Sequence, residues 1–381
     1  MDARLSLKDR AEALAADFAT RAAAYDRDGS FPFENFEQLA EAGLLALTVP
    51  RSAGGEGGGL TEAAAVINAV GKADPATALV LTMQYQHLAA ISRSNRWPAA
   101  LVKRLQQEAI DEVSLINALR VEPDLGSPAR GGLPNTIARR TQEGWRISGH
   151  KVYSTGVPIL RWYLVWARTD EEEPRVGMFL MRAGTPGIRI EETWDHLGLR
   201  ASGSHDVYFD DVLVPLDHAA DIRLPAEWRE PDALQMCGNA VLLSSIYDGV
   251  ARAARDWLVG FLRDRKPSNL GASLATLPRI QEAVGGIEAK LAVNARLIES
   301  LALEADCGTP PPPNESALVK LSVTENAIAV VEEALKLSGN HGLSRANPLE
   351  RHHRDVLCAR VHTPQDDSIR LAAGKAALAP L

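Results

Sequence analysis

The stretch Ser148-Gly149-His150-Lys151-Val152-Tyr153-Ser154-Thr155-Gly156 lies near the middle of the chain, among several short runs of similar character. Each run is β-branched or alternating, and each is bounded by Gly, Asp or Pro, which is typical of strands joined by turns. The neighbouring runs are Thr136 to Arg140, Trp145 to Ile147, Trp162 to Ala167, Val176 to Met181 and Val207 to Val214. The region from about Leu119 to Pro215 is therefore predicted to be a β domain.

Helical periodicity takes over on both sides of this region. In the first third, Leu7, Ala11, Leu14, Ala15 and Phe18 fall on one face of a 3.6-residue repeat. Thr61 is predicted to cap one long helix, and Asp74-Pro75 is predicted to begin the next. After Pro231 the predicted helices are Ala233 to Arg265, Leu277 to Cys307, Ser316 to Ser338 and Leu349 to about His362.

These patterns predict an α+β protein in three parts. We expect an N-terminal α-helical domain over residues 1–117, a middle β domain, built as a barrel or a sandwich, over 118–225 and a C-terminal antiparallel helical bundle over 226–381. No G-x-G-x-x-G fingerprint follows a strand, so a doubly wound nicotinamide-binding domain is disfavoured.

Charge and composition exclude several classes of partner. There are 41 Lys and Arg residues against 49 Asp and Glu, a formal net charge of −8, and no basic run interleaved with aromatics, so nucleic acid is not expected as a partner. No stretch approaches the roughly 18 apolar residues of a membrane span, and no targeting segment is visible, so a cytoplasmic location is expected. The three cysteines lie far apart, and no metal site is predicted.

Motifs along the chain resemble the acyl-CoA dehydrogenase superfamily in order and spacing. Val121-Glu122-Pro123-Asp124-Leu125-Gly126-Ser127 is similar to its flavin loop, and residues 148–156 are similar to its Gly-x-Lys-x-Trp-Ile-Thr strand. Leu197 to Ser204 resembles its Leu-Gly-x-Arg-x-Ser segment, and Glu350 to Asp355 resembles its Glu-Arg-x-x-Arg-Asp helix start. The resemblance covers essentially the whole chain and implies the acyl-CoA dehydrogenase fold, with an N-terminal α-helical domain, a middle β-barrel domain and a C-terminal four-helix bundle. It also implies a bound flavin and a homotetramer.

The resemblance also implies which residues contact the flavin. They are Val121, Gly126, Ser127, Tyr153, Ser154, Thr155, Arg265 and Gly339. Gly126 and Gly156 would let the backbone approach the flavin ring closely, and Ser127 or Thr155 could hydrogen-bond to it. The alternative is that these Gly, Ser and Thr residues only form turns. The Phe of the superfamily's Arg-x-x-Phe-Gly segment is missing after Arg265, so both FAD and FMN stay open as the cofactor.

One expected residue is absent. Dehydrogenases of this superfamily remove an α proton from an acyl thioester with a carboxylate base. The two positions where the superfamily places that base hold Thr363 and Asn239 here, and neither can act as one. Thr363, Asn239 and Trp194 are instead expected to line the substrate pocket. Asp366 and Asp367 could serve as a base only from a displaced loop, and otherwise belong to the start of the last helix.

Three other residues resemble the oxygen-using branch of the superfamily, typified by dibenzothiophene monooxygenase and the hydroxyphenylacetate hydroxylases. His362, Ser154 and His87 match its catalytic positions, where such groups can hydrogen-bond a flavin hydroperoxide and protonate its distal oxygen. The alternatives are a core histidine for His87 and a simple flavin contact for Ser154. His352 and His353 are expected to be surface or interface residues.

The favoured function is thus a flavin-dependent monooxygenase that acts on a small organic substrate with O2, supplied with reduced flavin by a separate reductase. Two alternatives stay open. One is an acyl-CoA dehydrogenase with a displaced base, and the other is a non-catalytic flavin-binding subunit.

Overall fold

A computed structural model describes residues 5–124, 132–228 and 232–379. The first third is helical, as predicted. Its helices are α1 (Leu7–Asp28), α2 (Phe33–Glu41), α3 (Leu60–Ala73), α4 (Pro75–Arg93) and α5 (Ala99–Asp111). Ala11, Ala15 and Phe18 are buried along α1, which confirms the predicted apolar face.

The two predicted helix starts have different outcomes. Asp74 caps α4 by accepting a hydrogen bond from the backbone N–H of Ala76 at 3.1 Å, as predicted. The prediction that Thr61 caps α3 is wrong, because α3 already begins at Leu60. Its first N–H groups are bound by a carboxylate from the last third of the chain. Asp306 accepts from the backbone N–H of Leu60 at 2.6 Å and from that of Thr61 at 2.9 Å.

The predicted β domain is confirmed, and its strands form one mixed sheet. The strands are β1 (Leu115–Leu119), β2 (Ile137–Arg140), β3 (Trp145–Ser154), β4 (Leu160–Thr169), β5 (Val176–Arg182), β6 (Ile188–Glu191), β7 (His205–Val214) and β8 (Asp221–Arg223). The order is β6-β7-β3-β2-β4-β5-β8. Strand β1 lies off this path and pairs with β4 in parallel. The domain boundary predicted after residue 117 falls inside β1.

Long helices return in the last third. They are α6 (Ala233–Asp264), α7 (Pro278–Asp306), α8 (Pro313–Ser338), α9 (Asn340–Leu343), α10 (Leu349–Leu357) and α11 (Asp366–Ala377). Helix α10 ends before the predicted limit at His362, which instead follows a 3₁₀ turn over Cys358–Arg360. None of the described helices is both long and apolar enough to cross a membrane.

The first and last thirds pack into one helical body through α3 and α6. Their backbones touch where glycines face each other's helix. A Cβ atom on Gly249 would lie 2.7 Å from the carbonyl oxygen of Asn68, and one on Gly71 would lie 3.0 Å from that of Ile246. The Asn68 side chain donates to the carbonyl oxygen of Ser245 at 3.1 Å. Because this contact is so close, α3 and α6 have essentially one fixed relative position.

Candidate active site

The turn after β3 is held in an unusual backbone conformation against α4. Tyr153 has a φ of +56°, a left-handed conformation that bulky residues rarely adopt, and its side chain is 56% exposed. Gly156 has a φ of +77°, and a Cβ there would lie 2.7 Å from the Cγ1 atom of Val80. The turn therefore needs glycine at 156 and presents the Tyr153 ring to solvent. Backbone strain of this kind is concentrated at functional sites.

Hydroxyl groups converge behind this turn. Thr155 Oγ1 lies 3.0 Å from Ser204 Oγ, which lies 2.8 Å from Ser202 Oγ. Ser154 differs from them, because its Oγ is buried and has no hydrogen-bond partner in the described part of the chain. Buried hydroxyls are nearly always paired, so an unpaired one marks a place where a bound molecule can complete the hydrogen bond.

Aromatic rings surround Tyr153 on its open side. The rings of Trp194 and His196 stack with centroids 3.6 Å apart, and Tyr153 meets them edge-on at 6.3 and 5.8 Å. The Trp194 indole N–H donates to the carbonyl oxygen of Leu199 at 3.1 Å, which fixes the ring. Trp194 thus lies beside the end of β3, the strand that resembles the superfamily's Gly-x-Lys-x-Trp-Ile-Thr strand. Its role as a pocket wall stays a prediction.

His87 is connected to the same turn through Asn117. Asn117 lies on β1, and its side-chain N–H donates to the carbonyl oxygen of Thr155 at 2.9 Å. Burial and the positive charge of Arg120 lower the pKa of His87 to about 4, while a hydrogen bond with Asn117 opposes the shift. Asn117 was not among the residues predicted from the sequence. The feature that could have indicated it is a carboxamide in the otherwise apolar strand Leu115–Leu119.

His362 is held by Tyr247 of α6, with Tyr247 Oη 2.6 Å from His362 Nδ1. Burial raises the pKa of Tyr247 well above its ordinary value, so the phenol keeps its proton. The hydrogen bond runs from Tyr247 to Nδ1 in the Nε2–H tautomer of the neutral imidazole, and from Nδ1 to Tyr247 in the other tautomer. Burial, together with the charge of Lys320, lowers the pKa of His362 to about 4. At neutral pH His362 is therefore an uncharged N–H donor.

The loop that carries His362 is wrapped around a buried ammonium group. Lys320 of α8 is fully buried and donates to the carbonyl oxygens of Ala359, His362 and Pro364 at 3.1, 3.2 and 3.1 Å. It also pairs with the carboxylate of Asp366 at 3.3 Å. One charge thus fixes the whole turn from residue 359 to 366, which sequence reasoning did not find.

Hydrogen bonds also join this loop to α4 and α6. The Asn239 side chain donates to the carbonyl oxygen of Thr363 at 2.8 Å and accepts from the Gln86 side chain at 3.1 Å. Gln86 precedes His87, and Thr363 follows His362. Hydrogen bonds and sequence adjacency therefore connect five predicted residues in one series, with Asn117 and Gln86 as the connecting residues. The five are Ser154, His87, Asn239, Thr363 and His362.

The described acidic groups near this loop have other roles. Asp366 is paired with Lys320, and the Asp367 side chain is fully exposed. Burial raises the pKa of Asp355 to about 7, and its carboxylate accepts from the backbone N–H of Leu199 at 2.7 Å. The same motif places Arg354 against Asp26 at 2.6 Å. These contacts hold the segment that follows Trp194, and the described acidic groups near His362 are either paired or exposed to solvent.

Other predicted flavin contacts lie outside this series. Val121 is beside β3, since its carbonyl oxygen accepts from Val152 N–H at 3.0 Å. Gly126 and Ser127 lie outside the described residues. Arg265 and Gly339 are exposed at the ends of α6 and α8, and no described contact connects them to the β3 turn.

His352 differs from its prediction. It is 4% exposed, so the expectation of a surface or interface position is wrong. Burial and the charge of Arg351 lower its pKa to about 3. Among the described residues, no cluster of His, Cys, Asp and Glu could hold a metal ion.

We expect the imidazoles of His362 and His87 to titrate far below the ordinary pKa of histidine. In ¹⁵N-labelled protein, His362 and His87 should begin to protonate only near pH 4, and His362 should show the Nε2–H tautomer from pH 5 to 8. Tyr247→Phe should give a mixture of tautomers at His362 and leave His87 unchanged. A His362 signal that titrates near pH 6.5 in the unsubstituted protein would contradict this description.

Three sequence profiles match most of the chain. Those of the acyl-CoA dehydrogenase N-terminal, middle and C-terminal domains match residues 2–94, 120–212 and 236–376. YdbM of Bacillus subtilis (strain 168), whose name describes an acyl-CoA dehydrogenase, is 32% identical over 94% of this chain and 94% of its own length.

Two further proteins are similar to this chain. L-evernosamine nitrososynthase from a Micromonospora species is 29% identical over 94% of this chain and 86% of its own length. The solved structure of KijD3 in complex with FMN and a dTDP-linked amino keto sugar is 28% identical, with a TM-score of 0.85 over 98% of this chain and 93% of that one. Members of the family are flavin-dependent oxidoreductases. The resemblance found in the sequence is therefore confirmed, and the chain belongs to the acyl-CoA dehydrogenase family.

Proposed function

We propose that this protein is the oxygenase component of a flavin-dependent monooxygenase that acts on a small organic substrate. The observation that carries the proposal is His362. It stands beside Thr363, where a dehydrogenase would have its carboxylate base, and with Tyr247 as the donor to its Nδ1 it is a neutral N–H donor at Nε2. A donor of this kind can hydrogen-bond reduced oxygen, but it cannot remove a carbon-bound proton as a carboxylate does.

The residues after β3 fit a flavin ring. The Ser154 hydroxyl is buried and unpaired in the described part of the chain, Gly156 allows close backbone approach, and Tyr153 offers an exposed aromatic edge. Ser154, Thr155 and Val121 would hold the ring of FMN or FAD, and Trp194 would close the pocket. When bound in its reduced form, the flavin supplies the electrons that activate O2. The similarity to the FMN complex of KijD3 supports FMN.

The protein's own groups would then control protons and water. His362 would donate through Nε2–H, and Ser154 would accept or donate through its hydroxyl. His87, kept neutral by burial and positioned by Asn117, would act as a third hydrogen-bonding group. Because His87 and His362 both have pKa values near 4, they would act at neutral pH as fixed hydrogen-bonding groups, not as imidazolium acids. This differs from the sequence-based expectation of histidines that titrate near neutrality.

A homotetramer is part of the proposal. Large apolar side chains are exposed on the helices and loops of the last third, and such patches mark subunit contacts. They are Val293, Leu303, Leu318, Leu343, Val361, Leu371 and Leu378. Arg265 and Gly339, exposed at the ends of their helices, would contact the flavin of a neighbouring subunit. Light scattering of the purified protein should give four times the chain mass of 41.1 kDa.

The test is a rapid-mixing experiment with anaerobically reduced FMN or FAD bound to the purified protein. On mixing with oxygenated buffer, we expect a transient near-ultraviolet absorbance that precedes the return of oxidised flavin. The second candidate function is acyl-CoA dehydrogenation, which the 32% identity to YdbM favours. Direct reoxidation without a transient, together with anaerobic bleaching of oxidised flavin by an acyl-CoA, would replace the first function by the second. Failure of both reactions would indicate a non-catalytic subunit.

A further inference from the structure

Arg120, at the end of β1, is a cation with no anion beside it in the described part of the chain. Its guanidinium lies over the Trp166 ring at 4.7 Å from the centroid. Its Nε is buried, and neither a hydrogen bond of that atom nor an ion pair of the side chain is found among the described residues. Burial lowers the pKa of Arg120. Stacking on an indole offsets only part of the cost of burying a guanidinium.

The other charges near Arg120 do not neutralise it. Lys151 of β3 adds a second positive charge near Arg120, and the carboxylate of Glu122 is paired with Lys151. Glu122 accepts from Lys151 at 2.6 Å and from the Thr136 hydroxyl at 2.6 Å. His87 faces Arg120 from α4 and is neutral. Lys151 and Glu122 cancel as a pair, which leaves Arg120 without a counter-charge among the residues that the structure describes.

The position of this charge connects it to the candidate active site. Arg120 is close enough to His87 to lower its pKa, and His87 is connected through Asn117 to the turn that carries Ser154. We propose that Arg120 binds the acidic group of the substrate, a carboxylate or another small organic anion, beside His87. The proposal rests on the proposed function only in calling this ligand the substrate.

Guanidinium geometry explains why a carboxylate fits. With one face on Trp166, the planar group presents an edge that no described residue pairs with, and that edge can make two parallel hydrogen bonds to a carboxylate. A neutral analogue of the same shape would lose the charge-assisted part of these hydrogen bonds. The site should therefore select by charge before it selects by shape.

The test compares benzoate with benzamide, two probes of similar size that differ in charge. Binding is measured by calorimetry at constant ionic strength, on protein loaded with oxidised FMN and without turnover. We expect benzoate to bind about 10- to 100-fold more tightly than benzamide. Arg120→Gln should abolish the difference, and Arg120→Lys should keep part of it. Arg168→Gln is the matched control, since Arg168 lies on β4 and its Nε is also unpaired in the described part of the chain.

Two results would overturn the inference. One is equal benzoate affinity in the unsubstituted protein and Arg120→Gln, with both shown to be folded by their melting curves. The other is loss of FMN affinity in Arg120→Gln with benzoate affinity unchanged, which would assign the guanidinium to the flavin. Neither depends on oxygen chemistry, so the monooxygenase proposal can fail while the anion site stands, and the reverse.

Discussion

Replacement of Lys151 by methionine is expected to lower the free energy of unfolding by about 3–5 kcal/mol. Lys151 is fully buried, and its ammonium lies 2.6 Å from Glu122, which is also buried. Burial lowers the pKa of Lys151 to about 8, while Glu122 opposes the shift, so the pair is charged at neutral pH. Methionine would fill the space and leave the Glu122 carboxylate without its counter-charge. Urea denaturation of the flavin-free protein measures the change.

Two further variants separate the loss of charge from other effects. Glu122→Gln combined with Lys151→Met should recover part of the loss, because the amide oxygen can still accept from Thr136. Lys336→Met is the surface control, since its pair with Glu333 is exposed, and it should change stability by about 0.5 kcal/mol or less. If Lys151→Met costs no more than Lys336→Met, the buried pair does not stabilise the fold as described.

His362→Ala is expected to reduce coupled product formation by about 100-fold, within the range of a lost hydrogen-bond donor to developing charge. Oxygen would still be consumed, but it would leave as hydrogen peroxide because no N–H held by Tyr247 hydrogen-bonds the reacting oxygen. The measurement is the ratio of product to hydrogen peroxide per O2 consumed, with a substrate found by screening.

Graded variants make this result specific. Tyr247→Phe keeps the imidazole and loses its orientation, so it should be affected less than His362→Ala. His353→Ala replaces a partly buried imidazole on α10 outside the hydrogen-bonded series and should leave the ratio unchanged. An unchanged ratio in His362→Ala would remove His362 from the reaction.

Local sequence signals predicted the elements that local physics controls. The alternating runs predicted five of the eight described strands, β2, β3, β4, β5 and β7, but not β1, β6 or β8. Asp74-Pro75 marked a helix start because both its features lie within three residues. The turn at Ser154 and Gly156 was predicted for the same reason, since its residues also lie within three positions. The order of three parts also followed from periodicity, since helix and strand repeats differ over short windows.

Residues fixed by distant parts of the chain could not be found in this way. Lys320 reads as an ordinary lysine of a surface helix, and only the loop from residue 359 to 366 makes it buried. Tyr247 lies 115 positions from His362. His352 was expected at the surface or an interface because it and the adjacent His353 cannot converge on a metal, yet packing buries it. In each case the partner comes from another element, and its identity depends on how the elements dock.

The cap that Asp306 supplies to α3 also bears on how the chain is made. A ribosome releases α3 some 245 residues before its capping carboxylate, which at about 5–20 residues per second is a delay of roughly 10 to 50 seconds. The apolar face that α3 turns toward α6 has no partner during most of that time. The β domain, whose described strands all lie between residues 115 and 223, can fold first. Nascent chains that stop before α6 would therefore expose unpaired helices and should depend on chaperones.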